Sequence, residues 1–243
     1  MYEHDGIVDG LRLHWRECGE GPPVALVHGI GVSGRYLLPT ARGLAPTHRA
    51  LVPDLPGFGR SPRPPRRLGI GGLADVLDRW LEHVEVGRCP LLANSFGCQV
   101  LVELAVRRPE RVSALVLVGP TIDAAARSFP RQLGRLLADC AIEPPRLLPI
   151  VALDYSIFMA KGGLPLILEM LRDPVEERLP SVQAPALVVR GGRDRIVPQR
   201  WTEQVAETLP RGELLVIESA PHAVNYAAPE ALAEAVRPFL RGL

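Results

Sequence analysis

The chain has 243 residues, 47% of them hydrophobic and 23% charged, enough to bury roughly 70–75% of its unfolded surface in one domain and too apolar to stay disordered. Its 28 basic and 27 acidic residues leave a formal charge of +1, so no global field draws in a nucleic-acid backbone. Lys161 is the only lysine, and because arginine forms no Schiff base this argues against lysine-based cofactor chemistry.

The opening residues Met1 to Gly6 carry neither a basic flank nor an apolar stretch, so no signal peptide is expected and the expected compartment is the cytoplasm. Around the turn Asp9-Gly10, Leu11, Leu13 and Trp15 alternate with Arg12, His14 and Arg16, the period of a half-buried hairpin. Val24 to Val27, Leu91 to Ala93, Ala114 to Val118 and Ala186 to Val189 are almost continuously apolar between turn residues, as are strands covered on both faces of a parallel sheet. Leu73 to Val84 and Phe96 to Arg107 show helical spacing. Strand and helix alternate, which predicts an α/β fold: a mostly parallel central sheet with helices on both faces.

Residues 121–180 break that rhythm with Pro144-Pro145, Pro149, Gly162-Gly163 and helix-like apolar patches. They are expected to form a small helical cap, inserted in a core made of residues 1–120 and 181–243. The alternation resumes with a helix around Thr202 to Leu209, a strand from Leu214 to Ile217 and a closing helix from Glu230 to Leu240 behind Pro229. Pro62 to Arg67, basic and proline-rich, reads as an extended solvated loop. The longest apolar run, about seven residues from Leu147, is far short of a membrane helix, so no membrane partner is expected. Cys18, Cys89, Cys98 and Cys140 are scattered and are expected to stay reduced.

The segment Leu91 to Cys98 is an apolar strand that runs into Ser95 and then into a helix, the setting of a nucleophile elbow. Such a turn strains the serine backbone, and small residues two positions either side, here Ala93 and Gly97, let strand and helix approach. The helix N-terminus favours negative charge beside Ser95, and the Phe96 N–H can point at an oxyanion. A simple serine N-cap is the bland alternative.

Four further motifs occur in order: His28-Gly29-Ile30-Gly31, Asp54-Leu55-Pro56-Gly57-Phe58-Gly59-Arg60-Ser61, Gly191-Gly192-Arg193-Asp194-Arg195-Ile196-Val197-Pro198 and Ala220-Pro221-His222. With them the chain resembles the α/β-hydrolase fold family, in its branch of capped serine hydrolases, from the hairpin to the last helix. The resemblance implies an oxyanion hole made by the Ile30 and Phe96 N–H groups. It also implies supporting roles for His28, which braces that loop, for Gly29 and Gly31, and for Asn94. Ala93 departs from the glycine usual in the family's G-x-S-x-G pattern.

A serine hydroxyl is a weak nucleophile at neutral pH, so a histidine must take its proton and a carboxylate must orient that histidine. The order Ser95, Asp194, His222 supplies all three. Of the six histidines, His4, His14, His48 and His83 lie in no motif. Asp194 sits at a strand's carboxyl end, where α/β sheets place functional groups; Asp123, after the strand Ala114 to Val118, is the runner-up acid. Asp54 reads as a turn-stabilising aspartate.

Phe129, Leu133, Tyr155, Met159 and Ile167 would roof an apolar pocket. The leading expectation is hydrolysis of a small-to-medium hydrophobic carboxylic ester through an acyl-enzyme on Ser95. Alternatives are cleavage of a carbon–carbon bond in a ring-cleavage product, which Asn94-Ser95-Phe96-Gly97 resembles, and thioesterase, lactonase or acyltransferase activity. A ligand-binding protein with an inert triad is the non-enzyme reading. The pattern holds neither a metal-ligand cluster nor a phosphate-binding glycine fingerprint, so no cofactor is expected and the expected partner is a small hydrophobic molecule.

Overall fold

The computed structural model describes residues 1–241, and eight strands form one sheet: β1 Tyr2–Val8, β2 Leu11–Cys18, β3 Pro23–Val27, β4 Arg49–Asp54, β5 Cys89–Asn94, β6 Val112–Val118, β7 Ala186–Gly191 and β8 Gly212–Ile217. Their spatial order is β1-β2-β4-β3-β5-β6-β7-β8. The pairs from β4 through β8 are parallel, and β1 and β2 form an antiparallel edge. The helices are α1 Leu38–Leu44, α2 Ile70–His83, α3 Phe96–Arg107, α4 Phe129–Cys140, α5 Leu148–Ala160, α6 Leu164–Arg172, α7 Val175–Arg178, α8 Gln199–Thr208, α9 Val224–Ala227 and α10 Pro229–Arg241.

The continuous apolar runs are explained by period-2 burial on both faces. Ala25 and Val27 of β3, Leu115 and Leu117 of β6, and Ala186 and Val188 of β7 point into one core with α2, α3 and α8. Val24 and Leu26, Val116 and Val118, and Leu187 and Val189 point into the other, against α1 and α10. Trp80 and Trp201 are fully buried in the first core, where each large side chain contributes roughly 1.5–3 kcal/mol of transfer free energy.

Three details differ from the sequence reading. The hairpin turns tightly, with Asp9 at φ 49 and Gly10 at φ 77, but β2 is not half-buried. It is flanked by β1 and β4, so His14 and Arg16 are buried as well, and the Arg16 guanidinium donates to Glu3 and Asp54. β4 was not among the predicted runs because Arg49 opens it and Pro53 interrupts it. Finally, α2 begins at Ile70 rather than Leu73. Gly69 at its N-cap offers no side chain, and the Glu169 carboxylate of α6 accepts the Ile70 N–H at 2.8 Å, a tertiary cap with no local sequence signal.

Between β6 and β7 the described structure is helical, with a proline in the first turn of each of α4, α5 and α6. Among the described residues no single helix is long and apolar enough to cross a membrane. The Pro62 to Arg67 stretch is irregular and largely exposed, with Arg67 donating to Pro165 O and Glu169 of α6. All four cysteines are free, Cys140 the least buried. The loops after β3, β5, β7 and β8 gather at one edge of the parallel sheet, the carboxyl ends of its strands.

Candidate active site

Ser95 follows β5 directly and stands at φ 57, ψ −123, a backbone state that costs a non-glycine residue of order 1–3 kcal/mol. Its N–H donates to Val118 O of the neighbouring strand at 2.9 Å, which pins the turn, and α3 starts at the next residue. Gly97 is needed here for space: a Cβ would sit 2.7 Å from His28 O and 2.8 Å from Val27 O. Ala93, on the strand side, is fully buried, so the turn accommodates a methyl where the pattern usually has glycine. The Ser95 side chain is half-buried and its hydroxyl makes no hydrogen bond among the described residues.

The loop after β3 lies against this turn, since a Cβ on Gly29 would come within 3.2 Å of Ser95 Cβ. Gly31 takes φ 72, and a Cβ there would meet the Tyr155 ring of α5 at 2.6 Å. Neither the Ile30 nor the Phe96 N–H donates to another protein group among the described residues. His28 is buried and bridges two loops: its Nδ1–H donates to Gly29 O at 2.9 Å while Nε2 accepts the Leu55 N–H at 3.0 Å. Burial lowers its pKa, and this pair of bonds requires the neutral ring.

Asn94 joins the loops. The Gly29 N–H donates to Tyr36 Oη at 2.9 Å, the Tyr36 O–H donates to Asn94 Oδ1 at 2.7 Å, and Asn94 Nδ2 donates to Val118 O and His222 O, each at 3.2 Å. Tyr36 escaped the sequence reading because nothing local marks a tyrosine nine residues beyond a strand as a buried donor.

The structure brings His222 and Asp194 together. His222 Nδ1–H donates to Asp194 Oδ2 at 2.8 Å, and Asp194 Oδ1 accepts the Ile196 and Val197 N–H groups at 2.7 and 2.8 Å. Burial alone would lower the His222 pKa, but the charge and hydrogen bond of Asp194, with Asp139 and Glu143 behind them, push it up to about 9. Asp123 does not reach His222. It accepts the Ala125 N–H and pairs with Arg135 and Arg200. Asp54 is fully buried and turn-forming, accepting from Arg16, the Gly34 N–H and the Arg60 N–H.

Ser95, Ile30, Asn94 and His222 border one cavity of about 360 Å³, walled mostly by apolar residues such as Leu133, Leu136, Val151, Met159 and Ile167 of α4, α5 and α6. Its polar lining includes Asp139 and Glu143, and no arginine or lysine lines it among the described residues. The two acids were not singled out from sequence, because they lie in no motif. Such a volume holds a small or medium organic ligand.

A family model described as alpha/beta hydrolase fold matches residues 22–155, and one described as TAP-like protein matches residues 170–242. The dihydrolipoyllysine-residue acetyltransferase component of the acetoin cleaving system from Pseudomonas putida is 30% identical, over 96% of this chain and 68% of that protein. A 2-hydroxymuconate semialdehyde hydrolase from a Pseudomonas species (strain CF600) is 28% identical, over 96% of this chain and 92% of its own. A pimeloyl-[acyl-carrier protein] methyl ester esterase from Vibrio campbellii is 27% identical, over 94% and 98%. Among solved structures, a bacterial membrane phospholipase A superposes with a TM-score of 0.83 at 27% identity, over 99% of this chain and 86% of that one.

Proposed function

Since the chain belongs to the alpha/beta hydrolase fold family, we propose that it is a serine hydrolase that cleaves small-to-medium hydrophobic carboxylic esters through an acyl-enzyme on Ser95. The observation that carries this reading is the strained Ser95 at a strand-to-helix turn, with two undonated N–H groups beside it and the bonded pair Asp194–His222 on the same cavity. On substrate binding the Ser95 hydroxyl rotates toward His222 Nε2, a contact that catalytic groups often complete only in the complex.

Ser95 Oγ attacks the ester carbonyl as His222 Nε2 takes its proton, and the oxyanion is held by the Ile30 and Phe96 N–H groups. Each such donor is worth on the order of 10²–10³ in turnover. The tetrahedral intermediate collapses with the alkoxide leaving, protonated by His222. Water then attacks the acyl-enzyme, giving its proton to His222, and the acid departs as Ser95 regains the proton. Asp194, both of whose carboxylate oxygens are occupied, orients the ring and steadies the imidazolium.

Electrostatics favours a neutral ester over the carbon–carbon hydrolase reading. A ring-cleavage product with a carboxylate would enter a cavity that offers two acids and no arginine or lysine among its described lining, and an unpaired buried charge is costly. The test begins with a fluorophosphonate probe, which labels the wild type and not Ser95→Ala if Ser95 is a live nucleophile. An unlabelled wild type points to a binding protein instead. Turnover of short p-nitrophenyl esters is then compared with that of a dienoate, and preference for the dienoate by orders of magnitude overturns the ester reading.

A further inference from the structure

Resting on that reading of Asp194 and His222, we propose that Asp139, Glu143 and Asp154 form a three-carboxyl register that docks residues 121–180, as a cap, on the loops bearing the acid, the base and the oxyanion hole, and that Asp139 and Glu143 thereby act as positioning residues for Asp194 and His222.

Each acid accepts a backbone N–H from a different loop. Asp154, in α5, takes the Ser33 N–H at 3.0 Å and the Ser33 hydroxyl at 2.7 Å, just beyond Gly29 to Gly31. Asp139, near the end of α4, takes the Arg195 N–H at 3.0 Å, one residue after Asp194. Glu143 takes the Ala223 N–H at 2.7 Å, one residue after His222. All three are buried, at 2%, 9% and 3% exposure for Asp139, Glu143 and Asp154.

Local structure does not account for these placements. A carboxylate in the last turn of α4 faces the negative end of the helix dipole, so Asp139 is unfavourable for its own helix. Taking a carboxyl out of water costs several kcal/mol unless its oxygens are satisfied, and packed apolar side chains would dock the segment with less penalty. What the acids add is direction. An apolar contact leaves a loop free to slide, whereas a directional hydrogen bond to one N–H fixes the backbone next to the functional side chain. Asp154 also has a counter-ion, Arg35, at 2.6 Å.

The titratable groups facing Glu143 are Asp139 and Cys140 of α4, Tyr36 of the loop after β3, and His222. Those facing His222 are Asp194, Asp139 and Glu143. Burial, reinforced by Asp139, pushes Glu143 up to about 8, so it ionises within the pH range over which His222 loses its proton. Its Oε2 has no other hydrogen-bond partner among the described residues. Glutamine at 143 removes that charge and keeps an oxygen for the Ala223 N–H.

The experiment measures fluorophosphonate labelling together with kcat, KM and the pH dependence of kcat/KM on p-nitrophenyl butyrate, for wild type, Glu143→Ala, Glu143→Gln and Asp139→Asn. Glu143→Ala should lower kcat by about 10- to 100-fold with KM within about 3-fold, the signature of a displaced base. Glu143→Gln should recover kcat to within about 3-fold of wild type. Glu143→Gln and Asp139→Asn should both move the acid limb to lower pH, because each removes a carboxyl that favours the imidazolium. A folded Glu143→Ala with wild-type kcat, or a limb unmoved in both amide variants, overturns the register. If Glu143→Ala does not fold, the limbs of the two amide variants decide. A wild type that is not labelled at all overturns the underlying reading of Ser95, and the register with it; a labelled wild type with unmoved limbs overturns the register alone.

Discussion

In the loops after β3, β5, β7 and β8 the proposed catalytic residues and His28 are held from within the sheet edge: the Ser95 backbone by Val118, Asp194 by Ile196 and Val197, His222 by Asp194, and His28 by Gly29 and Leu55. Residues 121–180 are built otherwise. Leu137 is 63% and Leu153 50% exposed, and buried acids such as Asp139, Glu143, Asp154 and Asp173 bond outward to loops or helices of the sheet region. One region fixes reacting groups with short-range bonds. The other shapes the space above them and depends on the first for its own position. Changes at the sheet edge should therefore act on turnover, and changes in the helical segment on binding and docking, except at Asp139 and Glu143, whose bonds to the loops of Asp194 and His222 carry their effect to turnover.

The largest expected effect tests the first half of that contrast. Ser95→Ala and His222→Ala should each lower kcat by roughly 10⁴-fold or more, and Asp194→Asn by about 10⁴-fold through the wrong ring tautomer. Asp123→Asn should leave kcat within about 3-fold, because its oxygens serve Arg135, Arg200 and the Ala125 N–H rather than His222. Steady-state ester hydrolysis checks all four. Near-normal turnover in Ser95→Ala, or a greater loss in Asp123→Asn than in Asp194→Asn, breaks the contrast.

The pH profile is the next most sensitive reading. General-base action needs the free imidazole, so kcat/KM should rise with pH through a limb above histidine's ordinary 6.5, in the direction of the value of about 9 for His222. Stability has the opposite sense. A histidine raised above its unfolded value of 6.5 contributes stability that is fully present below about pH 6.5 and lost as pH rises through about 9. The protein should thus become less stable across the range in which it becomes more active. Melting temperature and kcat/KM followed over the same buffers test this, and a limb below 6.5 contradicts the environment described for His222.

Much of the sheet edge was legible because its constraints are local. A serine in a forbidden backbone state needs small neighbours, and Ala93 and Gly97 stand either side of it; an acid loop after an apolar strand needs turn residues, and Gly191 and Gly192 supply them. The strand runs were legible for the same reason, since double-sided burial leaves a continuous apolar signature. Tyr36, Asp139, Glu143 and Asp154 were not. Each acts on a partner tens of residues or more away in sequence, and a lone acid in a helix ordinarily reads as a solvated one. The buried face of β2 was hidden similarly, because Arg16 finds its two carboxylates only after the sheet is assembled.

Docking of the helical segment gives a smaller effect. Asp154→Ala leaves the Ser33 N–H and hydroxyl and the Arg35 guanidinium without their acceptor. The buried part of that loss is about 1–3 kcal/mol, and Arg35, 31% exposed, adds little because water takes over its solvation. For a chain of this size the melting temperature should fall by roughly 2–12 °C. Thermal unfolding with and without a bound product acid tells whether the loss is confined to the segment, and an unchanged melting temperature would show that Asp154 holds nothing.

The smallest effect concerns the apolar wall. Leu133 lines the cavity but is 43% exposed, so truncation to alanine opens space on a surface already partly wet rather than emptying a sealed core. The full-burial value of about 0.8 kcal/mol per methylene is an upper bound here, and with roughly half of it realised over the three carbons removed KM for a medium-chain ester should rise by no more than about 8-fold, while acetate esters, too short to reach the wall, should be unaffected. Stability should change by under about 1 kcal/mol. If instead kcat fell for every chain length, Leu133 would be acting on the reacting groups through α4 and Asp139, and the apolar wall would join Asp139 and Glu143 among the parts of the segment that set rate rather than fit.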